Sequence, residues 1–180
     1  MSLSPSTVSP TDDERRATLP GDGLVAADVV MDRAFTLDAP PERVWPWLVQ
    51  IGKDRAGWYF PRSVERFFPA GRRGARRIRS EYQDHEVGQV ISDWGGRDAT
   101  LTVAEIDPER ALVYRSQRGR VSFSWALLVT PVGAHTRVHS RVRLGPVRRE
   151  WLAEHGGGMF DLLTIWGLAT GLQERLREQR

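Results

Sequence analysis

The sequence predicts a single α+β domain in which an antiparallel sheet buries one face against a long C-terminal helix, with two short helices after the first strand. Three observations carry this reading. Turn signals at Asp107-Pro108-Glu109-Arg110, Arg118-Gly119-Arg120 and Pro131-Val132-Gly133-Ala134 cut residues 100–144 into pieces of strand length. Within the last two pieces apolar and polar side chains largely alternate, the period of a half-buried strand. From Met159 to Leu176, by contrast, Leu162, Ile165, Trp166, Ala169, Leu172 and Leu176 recur every three or four positions, the period of an amphipathic helix.

Residues 1–23 are rich in Ser, Thr, Pro, Gly and charge with almost no apolar periodicity, which predicts a disordered tail before a domain spanning 24–180. From Val29 the chain becomes extended. Val29, Met31, Phe35 and Leu37 share one parity, Arg33 is the exception, and Asp38-Ala39-Pro40-Pro41 stops the strand. Asp38 is placed to cap a helix running from Pro41 to about Val49, with Val44, Trp45, Leu48 and Ile51 near one face and Gly52 at its end. A second short helix is expected over 61–68, before Pro69 and a glycine-arginine loop.

Strands are then expected at 88–92, 100–106, 111–116, 121–130 and 135–144, with Pro108 at the second position of a type I turn. Val121, Phe123, Trp125, Leu127 and Val129 project to one side of their strand. In the next, Arg137, His139, Arg141 and Arg143 lie opposite Val138, Val142 and Leu144, which predicts a sheet with one wet, basic face. Gly156-Gly157-Gly158 predict a break before the final helix, whose tail from Gln173 to Arg180 reads as solvated.

Composition narrows the function classes. A chain of 180 residues, 40% apolar, suits one globular core. The absence of cysteine excludes disulfides, thiolate metal sites and cysteine nucleophiles, and fits a reducing compartment. Charged residues from Asp12 to Arg16 stand where a secretory peptide needs an apolar core, and later apolar runs are too short or interrupted to span a bilayer. A soluble cytoplasmic protein without integral membrane association is therefore expected. The net charge of +3 is nearly all arginine, since Lys53 is the only lysine; asparagine is absent too, the bias of a GC-rich genome. The one cluster, Arg72, Arg73, Arg76, Arg77 and Arg79, reads as a solvated loop with weak contact to an anionic surface as its functional alternative. No aromatic residue is interleaved for base stacking, so no nucleic-acid partner is expected.

No motif fixes a reaction. His135 and His139 fall four apart on a strand, separated by roughly 13 Å, too far for one metal ion. Asp84-His85-Glu86 reads as a solvated turn. Ser122, Ser124 and Ser140 lie in no nucleophile-elbow context, and Gly156 to Gly158 match neither phosphate-binding loop. No metal and no cofactor are expected. His155, just before the glycine run, can reach a cavity mouth, and Asp161 suits both the dipole of a helix start and the role of a buried acid.

The run Phe35-Thr36-Leu37-Asp38-Ala39-Pro40-Pro41-Glu42-Arg43-Val44-Trp45 resembles a strand, turn and helix of the START-like or SRPBCC superfamily, the polyketide cyclase and lipid-transport proteins that include birch-pollen allergen relatives. The resemblance covers residues 29–178. It continues through Gln50-Ile51-Gly52, Asp54-Arg55-Ala56-Gly57-Trp58-Tyr59, Arg77-Ile78, Glu81-Tyr82-Gln83-Asp84 and Val87-Gly88-Gln89-Val90. It implies a helix-grip fold, a curved antiparallel sheet wrapped around the C-terminal helix with a cavity between them for apolar or amphipathic molecules. It carries over no catalytic set. Seven tryptophans exceed what so small a core needs, and Trp58, Tyr59, Tyr82, Trp94, Tyr114, Phe123, Trp125, Phe160 and Trp166 are the expected ligand-binding residues. Binding of an apolar small molecule or lipid is the first functional expectation. A cyclase- or aromatase-like enzyme is the second, with Asp161, His155 and Tyr82 as its candidate acid–base groups.

Overall fold

The computed structural model describes residues 8–147 and 157–179. Strand β1 (Val29–Leu37) leads into helix α2 (Pro41–Val49), which follows a short N-terminal α1 (Asp12–Arg16). After α3 (Arg62–Glu65) come β2 (Val90–Ser92), β3 (Thr100–Asp107), β4 (Ala111–Arg118), β5 (Val121–Val132) and β6 (His135–Gly145), and the chain closes with α4 (Gly158–Glu178). The six strands form one antiparallel sheet in the order β1-β6-β5-β4-β3-β2. A register shift in β3 between Val103 and Glu105 bends the sheet. Helix α4 lies along the face carrying Phe35, Leu37, Tyr114, Trp125, Leu127 and Val138, and Ile165, Leu168, Leu172 and Leu176 fill the layer between them. No helix among the described residues is long and apolar enough to cross a membrane.

Helix α2 begins as expected but without Asp38 as its cap. Pro40 occupies the cap position with no side-chain bond, while the Asp38 carboxylate lies 3.3 Å from His135 Nδ1 and the Asp38 amide donates to Gln173. Trp47, not Trp45, is the fully buried tryptophan of α2, in edge contact with Tyr59 at 5.5 Å. The turn after β3 is not type I. Glu109 has φ +62°, the left-handed value that type II requires at its third residue, and the Arg110 amide still closes on Asp107.

Two larger corrections concern charge. The stretch read as a disordered tail takes up structure from Val8: α1 is closed by a reciprocal bond pair between Thr11 and Glu14, and Val8, Leu19 and Val25 are buried. This strap covers the sheet face read as wet. Arg137 donates to Glu14, and Arg141, almost fully buried, donates to Asp32, Asp22 and the carbonyls of Glu14, Arg15 and Ala17. His139 is buried beside Asp32 at 2.6 Å. Alternation located these side chains on one face correctly, but their partners come from a segment with no periodicity.

The segment of α4 read as solvated is so only from Arg177 to Gln179. Gln173, Arg175 and Leu176 are buried: Gln173 against the turn at Asp38, Leu176 in the core beside α2, and Arg175 under the connection between α2 and β2, which folds over the helix. Its close approach needs Gly171, where a Cβ would sit 2.8 Å from the Tyr59 carbonyl carbon and 2.9 Å from the Phe60 backbone.

Candidate functional site

Register across the sheet aligns one row of side chains beneath the first half of α4. Tyr114 on β4 pairs with Trp125 on β5, and Arg33 on β1 pairs with Ser140 on β6. The rings of Tyr114 and Trp125 stack at 5.5 Å, and Trp125 Nε1 donates to Ser140 Oγ at 3.0 Å. Trp58 lies against Trp125 at 5.7 Å, meets Trp94 edge-on at 5.6 Å, and donates from Nε1 to the Thr164 carbonyl of α4. The row therefore runs from Tyr114 through Trp125 to Ser140 and Arg33, with Trp58 and Trp94 as a plug on its open side.

Each end of the row carries an ionisable group. Arg33 Nε stands 3.1 Å from Asp161 Oδ2, and its other nitrogens donate to the carbonyls of Asp32 and Gly158. The ion contact lacks hydrogen-bond geometry, so Arg33 Nε and Asp161 Oδ2 are buried with no hydrogen-bond partner among the described residues. Burial pushes the Asp161 carboxyl up to about 6, against the pull of Arg33 and with a small push from Asp32.

At the other end, His85 Nδ1 is 2.5 Å from Gln89 Oε1 and Nε2 is 3.2 Å from the Tyr114 hydroxyl. Burial pushes the His85 imidazole below its ordinary value; the Gln89 bond opposes this and the nearby Arg55 charge reinforces it. A neutral ring bonded to an amide oxygen carries its proton on Nδ1, so Nε2 accepts from the Tyr114 O–H. The Asp84-His85-Glu86 stretch is thus a solvated turn only at its outer two residues.

The expected ligand residues divide. Trp58, Tyr114, Trp125 and, at the rim with 44% exposure, Trp94 come together at the row. Tyr59 instead belongs to a second buried cluster, donating to the Trp47 carbonyl and accepting from Gln50, with Arg175 4.5 Å over its ring. Tyr82 lies under Arg55 at 4.7 Å, and Phe123 under Arg118 at 4.4 Å. Trp166 is half-buried on the flank of α4. Phe160 is 71% exposed on the outward stripe of α4 and does not face the gap. His155 lies outside the described residues. His135 and His139 bond to different carboxylates, Asp38 and Asp32, and no cluster of three metal-ligating side chains occurs among the described residues.

Tyr114, Trp125, Trp58 and Trp94 pack against one another on the side of the sheet where the cavity is expected. Two concavities open at the surface, one of about 470 Å³ along residues 75–81 and one of about 350 Å³ lined by Arg15, residues 29–33 and Gly158. Sequence alone does not single out Arg33, Ser140 or His85 for this site. Arg33 carried a usable signal as the one polar side chain on the inward parity of β1.

No family model matches the chain, and no curated protein matches it. Solved structures do. Protein MLL2253 from Mesorhizobium loti aligns over 84% of this chain and 99% of its own with a TM-score of 0.53 at 16% identity. A protein from Nitrosospira multiformis aligns over 84% of this chain and all of its own, with a TM-score of 0.51 at 16% identity. The fold is a helix grip. DynU16, a protein in the dynemicin biosynthetic locus, is also similar in fold, with a TM-score of 0.51 at 16% identity over 85% of this chain. This chain spans 49% of DynU16. Within the helix grip the row occupies the concave face of the sheet, under the helix it grips.

The raised Asp161 gives a stability signature with a definite sign. A carboxyl whose folded value lies above its ordinary 3.8 contributes stability that is fully present below 3.8 and lost as pH rises through about 6. In urea unfolding the stability of wild type relative to Asp161→Asn is therefore expected to fall by about 2 kcal/mol between pH 4 and pH 7. A difference between wild type and Asp161→Asn that stays flat, or rises, across this window would contradict the burial of an ionisable Asp161.

Proposed function

We infer that the protein binds an apolar or amphipathic small molecule on the concave face of its sheet, in the manner of a START-like or SRPBCC domain. The observation that supports this most directly is the facing pair Arg33 Nε and Asp161 Oδ2, buried and without hydrogen bonds at the end of an aromatic row. Six other buried side-chain atoms among the described residues also lack a hydrogen bond, Asp22 Oδ1 and Arg143 Nε under the strap among them; what sets Arg33 and Asp161 apart is their place at the end of an aromatic row, the composition of a ligand site. The ligand enters by displacing Trp94, which is half exposed and held on a loop, from Trp58. Its apolar body then lies on Trp58 and Trp125, and a hydroxyl bridges the pair, accepting from Arg33 Nε and donating to Asp161 Oδ2.

A cyclase- or aromatase-like reaction on a hydrophobic substrate at the same place is the second reading. A carboxyl pushed up to about 6 lies in the range where general acids and bases work best, and the neutral His85 stands at the far end of the row. The likeness to DynU16, whose locus is biosynthetic, fits both readings at the level of fold alone.

The neutral fluorophore N-phenyl-1-naphthylamine tests the site. Wild type is expected to bind it saturably and with quenching of tryptophan emission; Trp94→Ala, which opens the plug, raises the association rate. Trp125→Ala abolishes binding, and Trp125→Phe, which keeps the fold packed, weakens it about tenfold. Absence of saturable binding in both wild type and Trp94→Ala, or unchanged binding in both Trp125 variants, would sink the assignment. Asp161→Asn separates the two readings, because binding survives it and proton transfer does not.

A further inference from the structure

The basicity of the chain is concentrated in one surface segment. Residues 61–80 carry seven arginines and one carboxylate, a net +6, whereas the whole chain is +3 and the remainder is therefore −3. That one carboxylate, Glu65, is buried against Arg175 and Arg76. Arg62 and Arg76 are also engaged by Glu174 and Glu178 of α4, and Arg79 lies near Glu81. Arg66, Arg72, Arg73 and Arg77 have no carboxylate partner among the described residues.

An exposed aromatic side chain sits among these charges. Arg73 donates to the carbonyls of Phe68 and Arg66, which draws residues 66–73 into a closed loop. In that loop Phe67 is 74% exposed, with the Arg66 guanidinium 4.6 Å over its ring. The same side of the molecule carries a second apolar element. Phe160 and Leu163, 71% and 53% exposed, lie on the stripe of α4 that continues through Gly167 and Gly171. Phe60 covers that stripe at the two glycines, and its ring meets Phe68 edge-on at 5.5 Å.

We propose that this face docks onto an anionic lipid bilayer. Phe67 enters the interfacial layer while Arg66, Arg72 and Arg77 meet lipid phosphates, and Phe160 and Leu163 extend the apolar contact along the helix. The concavity of about 470 Å³ beside the loop is lined by Arg76, Arg77, Arg79 and Glu81; Arg76 and Arg79 face carboxylates there, and Arg77 is the guanidinium left to meet a headgroup phosphate. A nucleic acid fits less well: bases need free ring faces, whereas Phe67 is capped by Arg66 and Phe68 is packed against Phe60. The docking face is separate from the aromatic row, so it stands or falls apart from the ligand reading.

Co-sedimentation of the whole chain with lipid vesicles tests this. Vesicles of phosphatidylcholine mixed with phosphatidylglycerol are expected to retain the protein, vesicles of phosphatidylcholine alone to release it, and added salt to weaken the retention. Arg72→Gln with Arg77→Gln lowers the partition coefficient about thirtyfold, roughly fivefold for each charge at the surface. Phe67→Ser lowers it about tenfold. All three positions are exposed, so thermal unfolding of the variants matches wild type, and any variant that melts lower is replaced by Arg77→Ala alone, with about a fivefold loss. Equal retention on neutral vesicles, no retention on mixed vesicles, or unchanged retention of the arginine variants overturns the proposal. Tight binding of an RNA or duplex oligonucleotide without vesicle binding overturns it in favour of a nucleic-acid surface.

Discussion

Arg175→Ala is expected to lower stability by about 3–5 kcal/mol, because it removes one of the two guanidiniums that compensate the buried Glu65 carboxylate and leaves four backbone carbonyls without their donor. Arg175 is completely buried and every one of its N–H groups is used. Nε donates to the Ala75 carbonyl, one terminal nitrogen to Phe60 and Gly171, and the other to Glu65 and Gly74. Four of these five acceptors lie in the connection between α2 and β2, so one side chain fastens that connection to α4. Glu65 in turn accepts from the amides of Phe60 and Gly74 and from Arg76. Arg175→Lys recovers little, since an ammonium has three donors on one nitrogen and cannot reproduce the planar fork. Urea unfolding at neutral pH checks both variants, and a loss below about 1 kcal/mol for Arg175→Ala would show that the cluster does not hold the connection down.

Arg141→Ala is expected to cost a comparable 3–5 kcal/mol, about the penalty for breaking a buried pair, and to release the N-terminal strap while the sheet stays folded. Arg141 spans the two layers, with Asp32 of the sheet on one side and Asp22 plus three strap carbonyls on the other. Without it Asp32 and Asp22 face each other under the strap with reduced compensation. Amide exchange resolves the effect by location: residues 8–24 lose protection in Arg141→Ala and β4 to β6 keep theirs. A uniform loss of protection would mean that the strap is part of the same cooperative unit as the sheet.

Acid provides an independent check on the strap. The Arg137 side chain bonded to Glu14 holds its carboxyl at about 2, below its ordinary 4.5, and the bonds from His139 and Arg141 hold Asp32 below its ordinary value despite burial. For depressed carboxyls the contribution to stability is present above the ordinary value and lost as pH falls toward the folded one. The strap is therefore expected to detach between about pH 4.5 and 2. This is opposite in sign to the Asp161 effect and lies at lower pH.

Much of the helix grip was legible in order of residues alone. Alternation in 121–144 and the three turns gave the meander, and the three- and four-residue spacing of Leu162, Ile165, Ala169, Leu172 and Leu176 gave α4 and its inward face. Both signals are short-range, because the pleat and the helical turn repeat within a few residues. The aromatic row was legible only as a set of names. Trp58, Tyr114 and Trp125 were recognisable as bulky aromatic residues, Trp125 on the inward parity of its strand, but the stacking of Tyr114 on Trp125 depends on the register between β4 and β5. Phe160, assigned to the gap, faces outward because its stripe is the one opposite Ile165.

What the sequence by itself determined is the layering: which segments are strands, which is the gripping helix, and which side chains face inward. The tertiary structure decided what each charge meets. Arg33, Arg141 and Arg175 look alike in the sequence as arginines in patterned elements. Folding gives Arg33 to Asp161 beside the aromatic row, Arg141 to a strap from the other end of the chain, and Arg175 to Glu65 under the long connection. Hydrophobic periodicity is fixed by local backbone geometry and is visible within a dozen residues. The partner of a buried charge is fixed by which distant segment supplies carboxylates and carbonyls at hydrogen-bond distance, and only the assembled fold contains that information.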